Sequence, residues 1–172
     1  MIALPGLAQC FVCGDKNEHG LKLKFAIAED GASVVCEYAP AQQFVGFAPY
    51  VHGAVISAMF DEGCAWPIIY RTGLLCMTVQ LNVTFKRPAT VGKKLRLVTK
   101  ELPSDSKSQR AFKAGGTLTD ESGAVVATAE AIYVPLDPAA SSEFFCRMSF
   151  EGSGVSASHF EGRAAAKGAD GS

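Results

Sequence analysis

From Leu21 the chain alternates. Leu21, Leu23, Phe25 and Ile27 fall between Lys22, Lys24 and Ala26, which is the two-residue period of a half-buried strand. Asp30-Gly31 is a hairpin signal, and Ser33 to Tyr38 reads as the return strand, with Val34, Cys36 and Tyr38 on one face. A loop of aromatic and small residues follows from Ala39 to Val51, containing Pro40, Gly46 and Pro49. Then the period changes. From Gly53 to about Tyr70, apolar residues line nearly the whole circumference of a helix and are interrupted by one acidic pair, Asp61-Glu62. That pattern marks a buried helix rather than a surface one. Pro67 is expected to distort its last turn, and Gly73 lies beyond its end. Downstream, Met77, Val79, Leu81, Val83 and Phe85 alternate with Thr78, Gln80, Asn82, Thr84 and Lys86, the cleanest strand signal in the chain. Pro88 and Gly92 punctuate it. A strand from Lys94 to Leu102, a polar loop from Pro103 to Gln109, and a hairpin complete the pattern. The hairpin strands are Ala111–Thr119 and Ala124–Val134, and Gly115-Gly116 signals a bulge or a close backbone approach. Two strands, one buried helix, then four strands predict an α+β domain: an antiparallel sheet wrapped around one long central helix.

The domain is placed at residues 1–136 and a C-terminal extension at 137–172. Phe144, Phe145, Met148 and Phe150 suggest a short capping helix or an interface patch, and the Gly-, Ser- and Ala-rich stretch from Glu151 reads as a mobile tail. With 172 residues, 48% apolar and 19% charged, the chain has the material for one real core and no internal repeat. Lys and Arg number 16 against 17 for Asp and Glu, a balance that argues against nucleic acid as a partner. Met1 to Gly20 has no basic region leading into an apolar run, and no stretch reaches membrane-spanning length, so the expected location is the cytoplasm, without membrane contact. In that setting the six cysteines are expected as reduced thiols, with Cys36, Cys64 and Cys76 serving as small hydrophobes. Cys10-Phe11-Val12-Cys13 has metal-knuckle spacing but no second pair at a matching distance, and His19 is the only nearby imidazole. A structural turn is favoured there over a zinc site, and no metal or other cofactor is assigned.

The segment that points to chemistry is Val51-His52-Gly53-Ala54 followed by Asp61. The first N–H groups of a helix lack intrahelical partners and, aided by the helix dipole, favour developing negative charge. Glycine at position 53 lets a ligand approach that backbone closely. Nine residues after His52, Asp61 places a carboxylate in an apolar helix, where a charge is expensive unless paired or functional. At 1.5 Å per residue, Gly53 and Asp61 are about 12 Å apart along the axis. A base delivering water to a carbonyl carbon and the donor receiving its oxyanion must lie within a few ångströms of one another. Two antiparallel copies of the helix related by a two-fold axis meet that requirement, with Gly53 of one chain facing Asp61 of the other. The plainer alternatives are that Asp61 only accepts hydrogen bonds from a neighbouring strand and that His52 is a satisfied helix-entry residue. Glu62 is expected to face solvent or an ion pair. His19 and His159 are given no role.

These residues, taken in order, resemble a known family. Cys10-Phe11-Val12-Cys13-Gly14, Asn17, His19-Gly20-Leu21, Val51-His52-Gly53, Asp61-Glu62-Gly63, and Leu81-Asn82-Val83-Thr84-Phe85-Lys86-Arg87-Pro88 with Gly92 look like the hotdog-fold acyl-CoA thioesterases of the phenylacetate-pathway (PaaI-like) branch, over roughly residues 10–135. The resemblance implies a hotdog domain that hydrolyses an acyl-CoA or acyl-carrier-protein thioester, with coenzyme A entering only as part of the substrate. It implies Asp61 as base or nucleophile, Gly53 as oxyanion donor, His52 as organiser of the loop and polariser of the thioester, and Thr78 as a hydroxyl assisting the carboxylate or the water. It also implies a homodimer commonly paired into a tetramer. For Lys86 and Arg87, binding of the CoA phosphates and solvated strand ends are equal readings. Two departures stand out: Ala54 replaces a second glycine, and Val45 and Gly46 occupy positions where many members carry Gln or Asn. They keep open a hotdog protein that binds acyl-CoA without turning it over. A hotdog dehydratase or hydratase would want an Asp/His pair on a motif absent from this sequence. Phe44, Phe47, Tyr50, Phe60 and Trp66 are candidates for an aromatic acyl pocket, with plain core the more ordinary role.

Overall fold

The computed structural model describes residues 1–103, 111–161 and 163. The alternation at Leu21–Ile27 is realised in burial: the four apolar side chains are inside, and Lys22 and Lys24 are exposed. Only Ala26–Ile27 (β2) pairs within the sheet, however. The Leu21 and Leu23 amides donate instead to the Phe11 and Val12 carbonyls, both at 2.8 Å, and Lys22 breaks the extended run with φ of 59°. A two-residue strand, Ile2–Ala3 (β1), pairs with β2. Val34–Tyr38 (β3) returns across the expected hairpin.

The helix α1 runs from Gly53 to Thr72, and Pro67 is held inside it. Gly73 ends it in the left-handed conformation (φ 69°), donating to the Ile69 carbonyl at 2.9 Å. Then come β4 (Cys76–Phe85), β5 (Leu95–Leu102), β6 (Phe112–Asp120) and β7 (Val125–Pro135). All pairings are antiparallel, in the order β1-β2-β3-β5-β6-β7-β4. The sheet packs on α1 through β3 to β7, burying Met59, Phe60, Cys64, Trp66 and Ile68 against Leu95, Leu97, Leu118 and Tyr133. Gly116 is a close approach, not a bulge: a Cβ there would lie 2.6 Å from Thr99 Cγ2 and 2.7 Å from the Val98 carbonyl oxygen. The register shifts fall elsewhere, between Thr78 and Gln80 and between Leu118 and Thr119.

The strand expected at Met77–Phe85 is present, but not all of its apolar set is core: Leu81 and Val83 pack against the interior, whereas Met77, Val79 and Phe85 are more than half exposed on an edge strand whose only partner among the described residues is β7. Nor is the whole C-terminal stretch loose. After α2 (Pro138–Phe145), residues 157–161 are helical, Phe160 is fully buried and stacks on Phe145, and the His159 ring stacks on Tyr70. Small-residue composition conceals this, since two rings supply the anchorage. The polar loop expected over 103–109 lies, from residue 104, outside the described residues, as does the tail from 164. No helix among the described residues is long and apolar enough to cross a membrane.

Candidate active site

Local chemistry sets the entrance to α1. His52 is extended (ψ 135°) and caps the helix, its Nδ1 accepting from the Ala54 amide at 3.0 Å. A neutral His52 that accepts at Nδ1 carries its proton on Nε2, and the residue is exposed. The Val55 amide is taken by the His52 carbonyl at 3.0 Å. The Gly53 amide, first in the helix, has no acceptor among the described residues. The loop behind is tight: the His52 amide donates to the Phe44 carbonyl, and Val45 bridges Val51. A Cβ on Gly46 would stand 3.1 Å from the His52 Cα, so position 46 has little space for the Gln or Asn side chain that the resembled family often carries there. A Cβ on Gly53 would lie 3.4 Å from the Phe85 ring, which sets the end of β4 over the start of α1. Lys86 and Arg87 follow directly, with exposed side chains and amides anchored on the Val126 carbonyl, and neither forms an ion pair among the described residues.

Further along α1, half-buried Asp61 accepts a hydrogen bond at Oδ1 from the Thr78 hydroxyl of β4, 2.8 Å away. Its backbone carbonyl accepts from the Tyr133 hydroxyl at 2.7 Å. Burial holds that phenol well above its usual range, so it remains a donor. Asp61 and Thr78 line a cavity of about 170 Å³ with Trp66, Ile69, Leu75, Phe144 and Met148, among others. Asp61 and Thr78 are thus brought together within one chain. His52 and Gly53 are not brought to them, lying about 12 Å away along the helix axis. Of the candidate acyl-pocket aromatics, Phe60 is core, Phe44 is half-buried, and Phe47 and Tyr50 are exposed; Trp66 alone lines the Asp61 cavity.

Glu62 departs from its expected surface position. It sits against Cys10 and Cys13, with Cys10 Sγ donating to its Oε2 at 3.3 Å. Burial is the first cause that raises its carboxyl, to about 8. Hydrogen bonding from Cys13 is the first cause that lowers the Cys10 thiol, while Cys13 itself is held above its usual range. Helical periodicity places residue 62 beside residue 61 but gives no sign of the N-terminal loop that covers it. The spacing of Cys10 and Cys13 was the visible half of the signal.

Residues 48–110 match the family model of the thioesterase superfamily. No curated protein sequence matches the chain. Among solved structures, a protein described as a member of the thioesterase superfamily superposes with a TM-score of 0.63 at 24% identity over 74% of this chain. The chain spans only 63% of that protein's length. A phenylacetic acid degradation-related protein from Ralstonia eutropha JMP134 is 26% identical, with a TM-score of 0.57, 66% of this chain covered and 85% of its own. A Streptococcus mutans protein solved with acetyl CoA gives a TM-score of 0.55 at 15% identity, covering 61% and 82%. An antiparallel sheet packed on one long central helix, with residues 48–110 fitting that superfamily, identifies the fold as the hotdog fold of the thioesterases.

Proposed function

We propose that this protein is a thioesterase that hydrolyses an acyl-CoA or acyl-carrier-protein thioester to free acid and thiol. The observation that carries the reading is Asp61: a half-buried carboxylate fixed by the Thr78 hydroxyl at the wall of a mostly apolar cavity. Asp61 takes a proton from water as the oxygen attacks the carbonyl carbon, or attacks that carbon itself to give a mixed anhydride that water then cleaves. The tetrahedral oxyanion is received by the Gly53 amide of a partner protomer, and the intermediate collapses with cleavage of the C–S bond and protonation of the leaving thiolate. His52 fixes the Gly53 turn by capping Ala54, with its Nε2–H on the exposed side. The active unit is a homodimer, paired into a tetramer and working in the cytoplasm. Lys86 and Arg87, adjacent to the helix entrance, bind the phosphates of coenzyme A. The family match and the acetyl-CoA complex of the S. mutans protein support a CoA thioester as substrate class.

Thiol release from a graded panel of acyl-CoAs, with phenylacetyl- and hydroxybenzoyl-CoA included, tests this reading. Wild type should turn over, and Asp61→Asn should lose about 100-fold or more, the scale of a lost general base. An Asn variant that matches wild type across the panel removes Asp61 from the mechanism. Calorimetric binding of acyl-CoA with no thiol release establishes the non-catalytic reading, for which the cramped Gly46 position speaks.

A further inference from the structure

Cys10, Cys13 and Glu62 converge although the first and last are 52 residues apart in sequence. One ligand atom from each lies within 4.8 Å of the others. A tetrahedral zinc-like ion, with metal–sulfur bonds of about 2.3 Å and a metal–oxygen bond of about 2.0 Å, sets its ligands about 3.5–3.8 Å from one another. The 3.3 Å between Cys10 Sγ and Glu62 Oε2 is close to that edge length. Backbone geometry is also that of a metal knuckle. The Val12 amide donates to Cys10 Sγ at 3.3 Å, and the Gly14 amide donates to the Cys10 carbonyl at 3.1 Å. Gly14 is obligatory in this turn, since a Cβ would fall 2.4 Å from the Cys10 carbonyl oxygen.

The surroundings call for a cation. Glu62 forms no ion pair with Lys, Arg or His among the described residues, although even a half-buried carboxylate is costly unless paired or metal-bound. Beside it the Trp66 indole N–H is buried, only 2% of the residue being exposed; among the described residues it has no acceptor within hydrogen-bond distance, though against the larger upward push of burial its proximity acts to lower the Glu62 carboxyl. We propose that Cys10, Cys13 and Glu62 bind one divalent transition-metal ion of zinc's borderline softness, with a fourth position open to the cavity that also holds Asp61. Two sulfurs and one oxygen suit zinc over the hard cations, which prefer all-oxygen sites. The ion clamps the N-terminal loop to α1, and Trp66 offers a donor to the carboxylate oxygen the metal leaves free. Nothing in this site depends on the chain being a hydrolase.

The test is a Co2+ titration of the full-length chain, purified reduced. One equivalent should bring up thiolate-to-cobalt charge-transfer absorption and the visible bands of a tetrahedral ion, and Zn2+ should displace it. Cys10→Ser and Cys13→Ser should each abolish the charge-transfer spectrum, Glu62→Gln should weaken binding about 10-fold or more, and Cys146→Ser, at an exposed and separate thiol, should leave it unchanged. Should a serine variant misfold, the folded wild type is alkylated with and without Zn2+. Protection of Cys10 and Cys13, but not of Cys146, in the mass spectrum supports the site. A reduced, folded wild type without the charge-transfer band, a band that survives loss of either cysteine, or a Glu62→Gln variant that binds as tightly as wild type overturns it.

Discussion

At the scale of single residues, the hydrogen bond from Thr78 to Asp61 carries a specific consequence. The hydroxyl occupies Oδ1 and leaves Oδ2 to meet water or the substrate carbon. Thr78→Val removes the donor while keeping the shape, so kcat should fall about 10-fold, equivalent to about 1.4 kcal/mol, with KM little changed. Thr78→Ser should restore most of the loss; steady-state kinetics on one acyl-CoA reads both. An unchanged kcat in the valine variant would reduce Thr78 to a strand residue. Asp61 itself was legible because a lone acidic pair in an apolar helix is an energetic anomaly that local sequence displays. The partition of that pair was not. Residues 61 and 62 are about 100° apart around the helix axis, and what each meets is decided by β4 and by the Cys10–Cys13 loop. Both covers are long-range, so periodicity gave Asp61 its place and missed that of Glu62.

At the scale of elements, β6 and β5 come together where Gly116 faces Thr99 and Val98. The Thr99 hydroxyl also donates to the Gly63 carbonyl of α1 at 2.6 Å, so the strand is fixed from both sides and has little freedom to yield. Gly116→Ala should therefore cost about 1–3 kcal/mol by overpacking, measured by urea unfolding; a midpoint equal to wild type would mean that β5 can retreat. Strand existence was readable from alternation along most of this sheet, whereas pairing was readable only at the two hairpins, β2 with β3 and β6 with β7. The segment 21–25 alternates as well as any strand yet lies against a loop, because alternation reports which side is buried and not where the amides go. The same limit hid the helical turn at 157–161. Its anchor His159 has its pKa held below 6.5, first by burial and then by the charge of Arg163. A histidine depressed in the folded state contributes stability that is present above 6.5 and is lost as the pH falls through its lowered value. Protection factors at residues 156–160, with exchange rates corrected for the intrinsic base-catalysed rate at each pH, should fall between neutral pH and about pH 5, and His159→Gln should flatten that dependence. Uniform protection in wild type across the range would separate His159 from tail docking.

For the whole molecule, the exposed apolar residues of β4 and the distance along α1 make one argument. An edge strand that carries Met77, Val79 and Phe85 and is uncovered among the described residues is a template for pairing with another chain. On that strand Thr78 marks the Asp61 end, through its hydrogen bond, and Phe85 marks the Gly53 end, through ring contact. Antiparallel pairing of β4 with its own copy about a two-fold axis between Leu81 and Asn82 sets Thr78 opposite the Phe85 position of the second chain. The same register carries each Asp61 toward the other chain's Gly53, closing the gap of about 12 Å that a single helix cannot close. Mixing inactive variants tests this directly. Gly53→Pro deletes the oxyanion N–H at the first helical position, where proline is tolerated, and the extended His52 before it accommodates the ring. Asp61→Asn and Gly53→Pro should each be nearly inactive. Refolded together, they form mixed dimers with one doubly impaired site and one intact site, so thiol release should return to about one quarter of wild type per chain if assembly is random. Val79→Lys should dissociate the dimer in sedimentation and abolish turnover while the protomer stays folded. Mixed dimers that form but remain inactive, or a monomeric Val79→Lys protein at full rate, would return both groups to a single chain.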